Sequence, residues 1–359
     1  MIDYQHLFDF VRRVFIAMGC PEPDAELAAN VLVSADLRGI DSHGVARLSG
    51  YVRLMDHGRL NPRPDIRVVY ETPSTAVIDG DAGLGLVVAP KAMQVAIEKA
   101  EKAGTGWVAV RNSNHFGIAG YHASLALPHD MVGWAMTHAG PLVTPTFSKE
   151  RLLGTNPICV VMPAEEEPPF VLDMATTTAA YGKLEILQRK NQDTPTGWVQ
   201  DAEGRPSTDS HAVRKGGALL PLGGDREHGS HKGYGLGAMV DLFCGVLSGA
   251  NYGPWVPPFA TAGFMSAGEG VGKGTGHFLG AMRVDAFRPA GEFKQNMDTW
   301  IRRFRSAEGI DGQSVLIPGD PEREMERIRK QEGIPLLGPV ESDLRQLGDR
   351  FGVPFPQEN

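Results

Sequence analysis

Cysteine is scarce in this chain of 359 residues: Cys20, Cys159 and Cys244 are the full complement. They lie in mainly apolar surroundings without a Cys-x-x-Cys pair, which excludes a disulfide framework and points to a reducing compartment. No run of about 18 apolar residues occurs, so no transmembrane helix is expected. The start, Met1-Ile2-Asp3-Tyr4, lacks the basic segment and apolar core of a signal peptide, and a cytoplasmic location is expected. Positive charge is in deficit too, with 35 Lys and Arg against 43 Asp and Glu. A net charge of -8 gives a field that repels nucleic acid and anionic membrane surfaces, so neither is an expected partner.

Three cofactor and metal signatures are also missing. The dinucleotide fingerprint needs glycines directly after a strand and opening a helix. Gly104-Thr105-Gly106 has the reverse context, and Gly83-Leu84-Gly85 has Val88 where the third glycine belongs. No phosphate loop of the Walker type and no His-Glu-x-x-His is present. His115, His122 and His129 recur at intervals of seven and His228 lies near His231, but neither spacing builds a zinc site, and no metal is expected.

What is present reads as an α/β protein. Hydrophobic residues make up 42% of the chain, enough for a packed core. Apolar stripes at Tyr4 to Met18 and Ala25 to Ala35, then Leu48, Tyr51, Val52 and Met55, predict three helices in the first sixty residues. After Asn61-Pro62-Arg63-Pro64 come β-type runs at 66–70 and 75–79, a long helix over 87–102, and strands ending before Asn112 and over 132–136, 158–162 and 170–172. Residues 191–231 are rich in turn formers and charge, where surface hairpins and a mobile loop are expected. A helix opens at Lys232, glycines crowd 268–276, a strand follows over 278–287, and three helices close the chain. Segments 1–72 and 290–359 are expected to pack together as a helical part, with 73–289 as the α/β core. The apolar stripes of the two ends exceed what one chain is expected to bury, which predicts self-association.

Two constellations carry chemistry. Asn112-Ser113-Asn114-His115-Phe116-Gly117 places an imidazole in a polar turn after the apolar run 107–110, where a buried strand ends and a site opens. A histidine there is a general acid/base candidate. Asp41-Ser42-His43-Gly44-Val45-Ala46-Arg47 reads as the start of a helix capped by Asp41 or Ser42, with His43 and Arg47 one turn apart near its positive end. The arginine fork is suited to a carboxylate. Together they point to proton transfer on a small organic acid.

These motifs, with Asp36-Leu37-Arg38-Gly39-Ile40, Gly154-Thr155-Asn156-Pro157, Leu172-Asp173-Met174-Ala175-Thr176-Thr177 and Lys232-Gly233-Tyr234-Gly235-Leu236, resemble the type 2 malate/L-lactate dehydrogenase family. That family includes sulfolactate and ureidoglycolate dehydrogenases and diketogulonate reductase, and is unrelated to the Rossmann-fold lactate and malate dehydrogenases. The resemblance implies a non-Rossmann α/β fold, a mixed sheet core with helical N- and C-terminal segments, that binds NAD or NADP, with NAD favoured, and works as a homodimer. It implies His115 as the proton-transfer residue, with His43 and Arg47 on the substrate side and Ser42, Thr155 and Asn156 lining the pocket. A turn of Asp173, Met174 and Ala175, together with Lys232 and the turn Pro318-Gly319-Asp320, is implied to contact cofactor. Asp173 either orients His115 or meets the cofactor. Two departures stand out: Ala139-Gly140 replaces the polar Ser of several relatives, and residues 225–231 make a longer lead into Lys232.

The expected function is hydride transfer between nicotinamide and a 2-hydroxy or 2-oxo acid, malate or L-lactate foremost. Reduction of another 2-oxo or cyclic imino acid is the alternative within that chemistry. A metal-dependent hydrolase and a non-catalytic cofactor-binding protein are the alternatives outside it.

Overall fold

The computed structural model describes residues 1–259 and 270–357. The first three helices are α1 (Tyr4–Ala17), α2 (Glu22–Leu37) and α3 (Leu48–Asp56). Asp3 opens α1 by accepting hydrogen bonds from the Gln5 and His6 backbone N–H groups, which a helix start leaves without intrahelical partners. Then come β1 (Arg67–Glu71), β2 (Thr75–Asp79), α4 (Gly85–Ala103), β3 (Thr105–Ser113), α5 (Ala119–Ser124), β4 (Met131–Thr137), β5 (Ile158–Met162) and β6 (Phe170–Met174). A short helix, α6 (Tyr181–Arg189), precedes β7 (Val199–Gln200), β8 (Pro206–Ser207) and β9 (Ala218–Leu219), a small antiparallel sheet in the segment expected to hold hairpins. Helix α7 (Ser230–Asp241) continues into a π-helical turn at Leu242–Val246, and β10 (Thr275–Arg283), α8 (Ala290–Arg305), α9 (Asp320–Glu332) and α10 (Gly338–Phe351) complete the chain. Of the glycine-rich stretch 268–276, residues 268 and 269 lie outside the described residues. No described helix is long and apolar enough to cross a membrane.

The main sheet has seven strands in the order β1-β2-β3-β10-β4-β5-β6; β2 and β3 are parallel and every other neighbouring pair is antiparallel. Helices α4 and α5 cover one face through Val88, Met93, Ile97 and Ala123, while Val240, Cys244 and Phe293 cover the other. A separate core holds the chain ends together. Leu7, Phe10, Val14, Leu32 and Leu48 pack with Ile334, Leu344, Leu347 and Val353, and Ile2 forms a backbone bridge to Ile334. The stripes of the two ends are therefore buried by one another within one chain, because each helical end lacks a face that the other supplies.

Strand direction decides where function can gather. Because β3 and β4 both run antiparallel to β10, they finish at the same sheet edge where β10 begins: Ser113 faces Thr275, and Thr137 faces His277. Antiparallel β5 starts and β6 ends at that edge, with Ile158 opposite both Met136 and Met174. Five strand ends far apart in sequence thus converge on one rim.

Candidate active site

His115 follows β3 on this rim, and its peptide is held from below. Asn114, buried, donates through Nδ2 to the Ala82 and Gly83 carbonyls at 2.8 and 3.1 Å, tying the β3 exit to the turn before α4. A Cβ on Gly85 would lie 2.1 Å from the Asn114 carbonyl oxygen and 2.5 Å from that of His115. Gly83-Leu84-Gly85 therefore serves close backbone approach under the histidine.

His43 reaches His115 from the other side, their rings stacked with centroids 5.7 Å apart. The helix expected to carry His43 starts later than its sequence suggests. His43 sits in a turn, Val45–Arg47 form a single 3-10 turn, and α3 begins at Leu48, with no side-chain cap from Asp41 or Ser42. A buried contact explains the change: the Asp36 carboxylate accepts the Val45 N–H at 2.7 Å, and it approaches so closely that a Cβ on Gly44 would overlap it. Asp41 instead pairs with Arg329 of α9, and the Ser42 hydroxyl is 2.9 Å from His43 Nδ1. Arg47 donates through Nε to the Ser42 carbonyl and through Nη2 to Glu185 of α6 at 3.3 Å.

Tyr51 is one of the residues that sequence reasoning missed. Assigned there to the core face of a helix, it is fully buried, yet its hydroxyl lies 2.7 Å from His115 Nδ1. Phe259 closes over the His115 ring at 4.4 Å. His43, Arg59, Asn114, His115, Thr137, His138, Thr155, Thr275 and Phe259 are among the residues lining a cavity of about 60 Å³. Loss of water disfavours a charged ring here: burial pushes His43 down to about 4 and His115 well below its ordinary value, the stacked His43 and the Arg47 guanidinium adding to the effect on His115. Both rings are neutral at pH 7.

A second, larger cavity of about 290 Å³ gathers other expected residues. Arg38, Asp173, Ile317, Pro318, Gly319 and Glu322 line it. Asp173 and Met174 end β6 rather than form a turn, because Cys159 and Ile158 of β5 pair with them. The Asp173 carboxylate accepts the Gly120 N–H at 2.6 Å, while the Nδ1 partner of His115 is Tyr51; the orienting role does not fall to Asp173. Asp173 is exposed where the cavity opens, and partial loss of water around its carboxylate raises it to about 6. Gly319 has φ +98°, and a Cβ there would press on Arg323 and Val171.

Other expected residues stand apart from both cavities. Asp320 pairs with Arg305 and Arg323. Lys232 is exposed on the first turn of α7. Asn156, fully buried, accepts from the Ala139 N–H at 3.1 Å and donates to the Gly237 carbonyl at 2.9 Å, locking the departing Ala139-Gly140 segment to α7. Among the described residues no three His, Cys, Asp or Glu side chains are arranged to hold a metal ion.

The lining of the larger cavity offers groups suited to the ribose of a nicotinamide dinucleotide. Carboxylates at Asp173 and Glu322 can accept from ribose hydroxyls, the Pro318-Gly319 turn leaves room for close approach, and the buried Nε of Arg38 lacks a hydrogen-bond partner among the described residues. Comparison with known proteins identifies the family. The family described as malate/L-lactate dehydrogenase matches residues 2–345. A malate dehydrogenase of Pyrococcus horikoshii is 43% identical over 349 residues, covering 97% of this chain and 94% of its own. An L-sulfolactate dehydrogenase of Methanocaldococcus jannaschii is 38% identical, covering 93% of this chain and 92% of its own. The solved structure of the Pyrococcus horikoshii malate dehydrogenase superposes with a TM-score of 0.90 at 40% identity, covering 99% of this chain and 96% of that one.

Proposed function

Because the chain belongs to the malate/L-lactate dehydrogenase family, we propose that this NAD(P)-dependent oxidoreductase of small 2-hydroxy acids interconverts malate and oxaloacetate at the His43–His115 cavity. The observation that carries the reading is a neutral histidine pair at the cavity wall flanked by two guanidinium groups, Arg47 beside His43 and Arg59 in the lining. Two cations suit a dicarboxylate better than L-lactate, which has one carboxylate to hold.

Nicotinamide, when bound, supplies or takes the hydride at C2. The protein handles the rest. Neutral His115 accepts the hydroxyl proton in oxidation, and as imidazolium returns it to the carbonyl oxygen in reduction. Arg47 leaves Glu185 for one carboxylate and Arg59 meets the other, which fixes the face of C2 presented for hydride transfer. Thr155 and Thr137 border the substrate, and Ser42 holds the His43 ring.

NAD is the proposed cofactor. Asp173 and Glu322 would repel a 2'-phosphate, whereas they can accept from a free 2'-hydroxyl. Met174, Ala175 and Lys232 are proposed to complete the cofactor contacts as β6 leads toward α7. Residues 1–72 with 290–359, and 73–289, are proposed as the two parts of the enzyme, the first supplying His43 and the second His115. A homodimer is proposed from Leu242, Val246, Leu247 and Trp255, each about half exposed along the π-helical turn and the loop after it.

The test is a kinetic panel of oxaloacetate, pyruvate and sulfopyruvate with NADH and with NADPH. Oxaloacetate with NADH should give the highest kcat/KM, and His115→Ala should lower kcat by roughly two to four orders of magnitude with NADH affinity little changed. Normal turnover in His115→Ala would remove this histidine from the mechanism.

A further inference from the structure

The Nδ1 atom of His115 has two neighbours that can share a proton with it. The Gly117 N–H, 3.3 Å away, is only ever a donor. The Tyr51 hydroxyl, 2.7 Å away, can donate or accept. When both donate, Nδ1 is bare and the proton of the neutral ring sits on Nε2, which has no hydrogen-bond partner among the described residues. A ring so protonated cannot take a proton from a substrate hydroxyl at Nε2.

Catalysis needs the other arrangement. In oxidation Nε2 must be bare, so the neutral ring carries its hydrogen on Nδ1. In reduction the imidazolium carries hydrogens on both nitrogens. Either form needs an acceptor for Nδ1–H, and the Tyr51 oxygen is the one within reach among the described residues. The tyrosine hydrogen then turns to the His115 carbonyl oxygen, 3.5 Å from the same hydroxyl. We propose that Tyr51 is the positioning residue of the proton transfer: by turning its hydroxyl from donor to acceptor, it decides whether His115 presents a bare Nε2 or a protonated one to the cavity.

The balance of the step is simple. In oxidation the substrate O–H bond breaks and an Nε2–H bond forms as hydride leaves C2 for nicotinamide; the ring gains one proton, and the Nδ1–H bond stays intact. Tyr51 gains and loses no proton. Burial raises its own ionisation far above neutrality, so it remains a hydroxyl throughout. A carboxylate at this place would accept only, and would hold the ring permanently as a cation partner; a hydroxyl leaves both states open.

Among the described residues the surroundings supply no rival for this role. His43 is stacked on the ring, Arg47 acts on it at longer range through its charge, and His122 and His277 lie behind it around Phe116. His138 and Arg59 stand on the cavity wall. His277 is committed to Thr137 and Ser113 at 2.7 and 2.8 Å, and His122 to the Phe116 carbonyl at 2.7 Å.

This inference rests on His115 as the acid/base group. Tyr51→Phe keeps the ring that packs on Phe15 and Phe259 and removes only the hydroxyl. The expected result is directional. Malate oxidation should fall by roughly tenfold or more at every pH, because the ratio of the two neutral tautomers does not depend on pH. Oxaloacetate reduction should fall at pH 7 and recover as the solution is acidified, its alkaline limb displaced downward by about one pH unit or more. KM for the acids and NADH affinity by fluorescence titration should stay within about twofold. Replacement of Tyr51 by 3,5-difluorotyrosine, a better donor and poorer acceptor of the same shape, should displace the reduction limb in the same direction; it decides the matter if Tyr51→Phe does not fold. Unshifted profiles in both directions, or a loss of rate carried by KM and NADH affinity alone, would overturn the proposal and leave Tyr51 as packing. His115→Ala run alongside separates the two readings: if it keeps turnover the acid/base assignment itself fails, and if it loses turnover while Tyr51→Phe matches the parent, only the tyrosine's role fails.

Discussion

Asp173 shows what a cavity does to one carboxyl group. Its ionisation is raised to about 6 by burial, so the folded chain holds that proton more tightly than the unfolded chain, where the ordinary value is near 3.8. The sign follows from linkage: the contribution to stability is complete below about pH 4 and is lost as pH rises through about 6. At pH 7.5 the ionised group is a local liability, and the proposed cofactor contact is a use for its charge. Asp173→Asn keeps an acceptor for the Gly120 N–H and removes the ionisation. Because Asp173 is exposed on the cavity side, solvent screens part of this effect, and the variant's apo form should melt slightly above the parent at pH 7.5 and level with it at pH 4. NADH affinity at pH 7.5 should fall by roughly tenfold. Equal melting shifts at both pH values would show that ionisation is not the cause, and unchanged NADH binding would remove Asp173 from the cofactor site.

At the scale of elements, the start of α4 is the support of the turn that carries His115. Gly85→Ala places a methyl group against two carbonyl oxygens of Asn114 and His115, backbone atoms that cannot swing aside. Overpacking of this kind costs about 1–3 kcal/mol. It should also move His115, so kcat should drop by roughly tenfold while the control Gly235→Ala, which meets open space, leaves kcat near the parent. Chemical denaturation and steady-state kinetics check both; a Gly85→Ala enzyme equal to the parent in stability and rate would show that the turn does not rest there. Much of this frame was legible beforehand. The helices of the first sixty residues, the long α4 and strands β4 to β6 follow from local periodicity, and the motifs 112–117 and 41–47 mark the rim by composition. Contacts across long sequence distances were not legible. Asp36 shortens the expected helix around His43 because a carboxylate nine residues away reaches the Val45 N–H. Tyr51 and Phe15 look alike in a helical stripe, and only the fold puts one of them against an imidazole 64 residues later. Arg59 carried no local signal at all.

For the whole molecule, the surface left uncovered differs from the one that the sequence suggested. The end helices bury each other, and one contiguous group of open apolar residues follows the end of α7: Leu242, Val246 and Leu247 are 55%, 52% and 57% exposed. Light scattering should give about twice the 38.7 kDa chain mass, and the pair Val246→Glu with Leu247→Glu should return it to the mass of one chain. A parent enzyme already at one chain mass would refute the dimer.

The bridge between Ile2 and Ile334 sets an order on biosynthesis. The apolar faces of α1 to α3 are completed by residues 334–353, so they leave the ribosome some 290 residues before their partners do. At about 5–20 residues per second that wait lasts roughly 15–60 s. During it, a sticky helical segment exists that the finished enzyme never displays. A nascent chain with this layout needs shelter early, and the last helix to be made is the one that releases it.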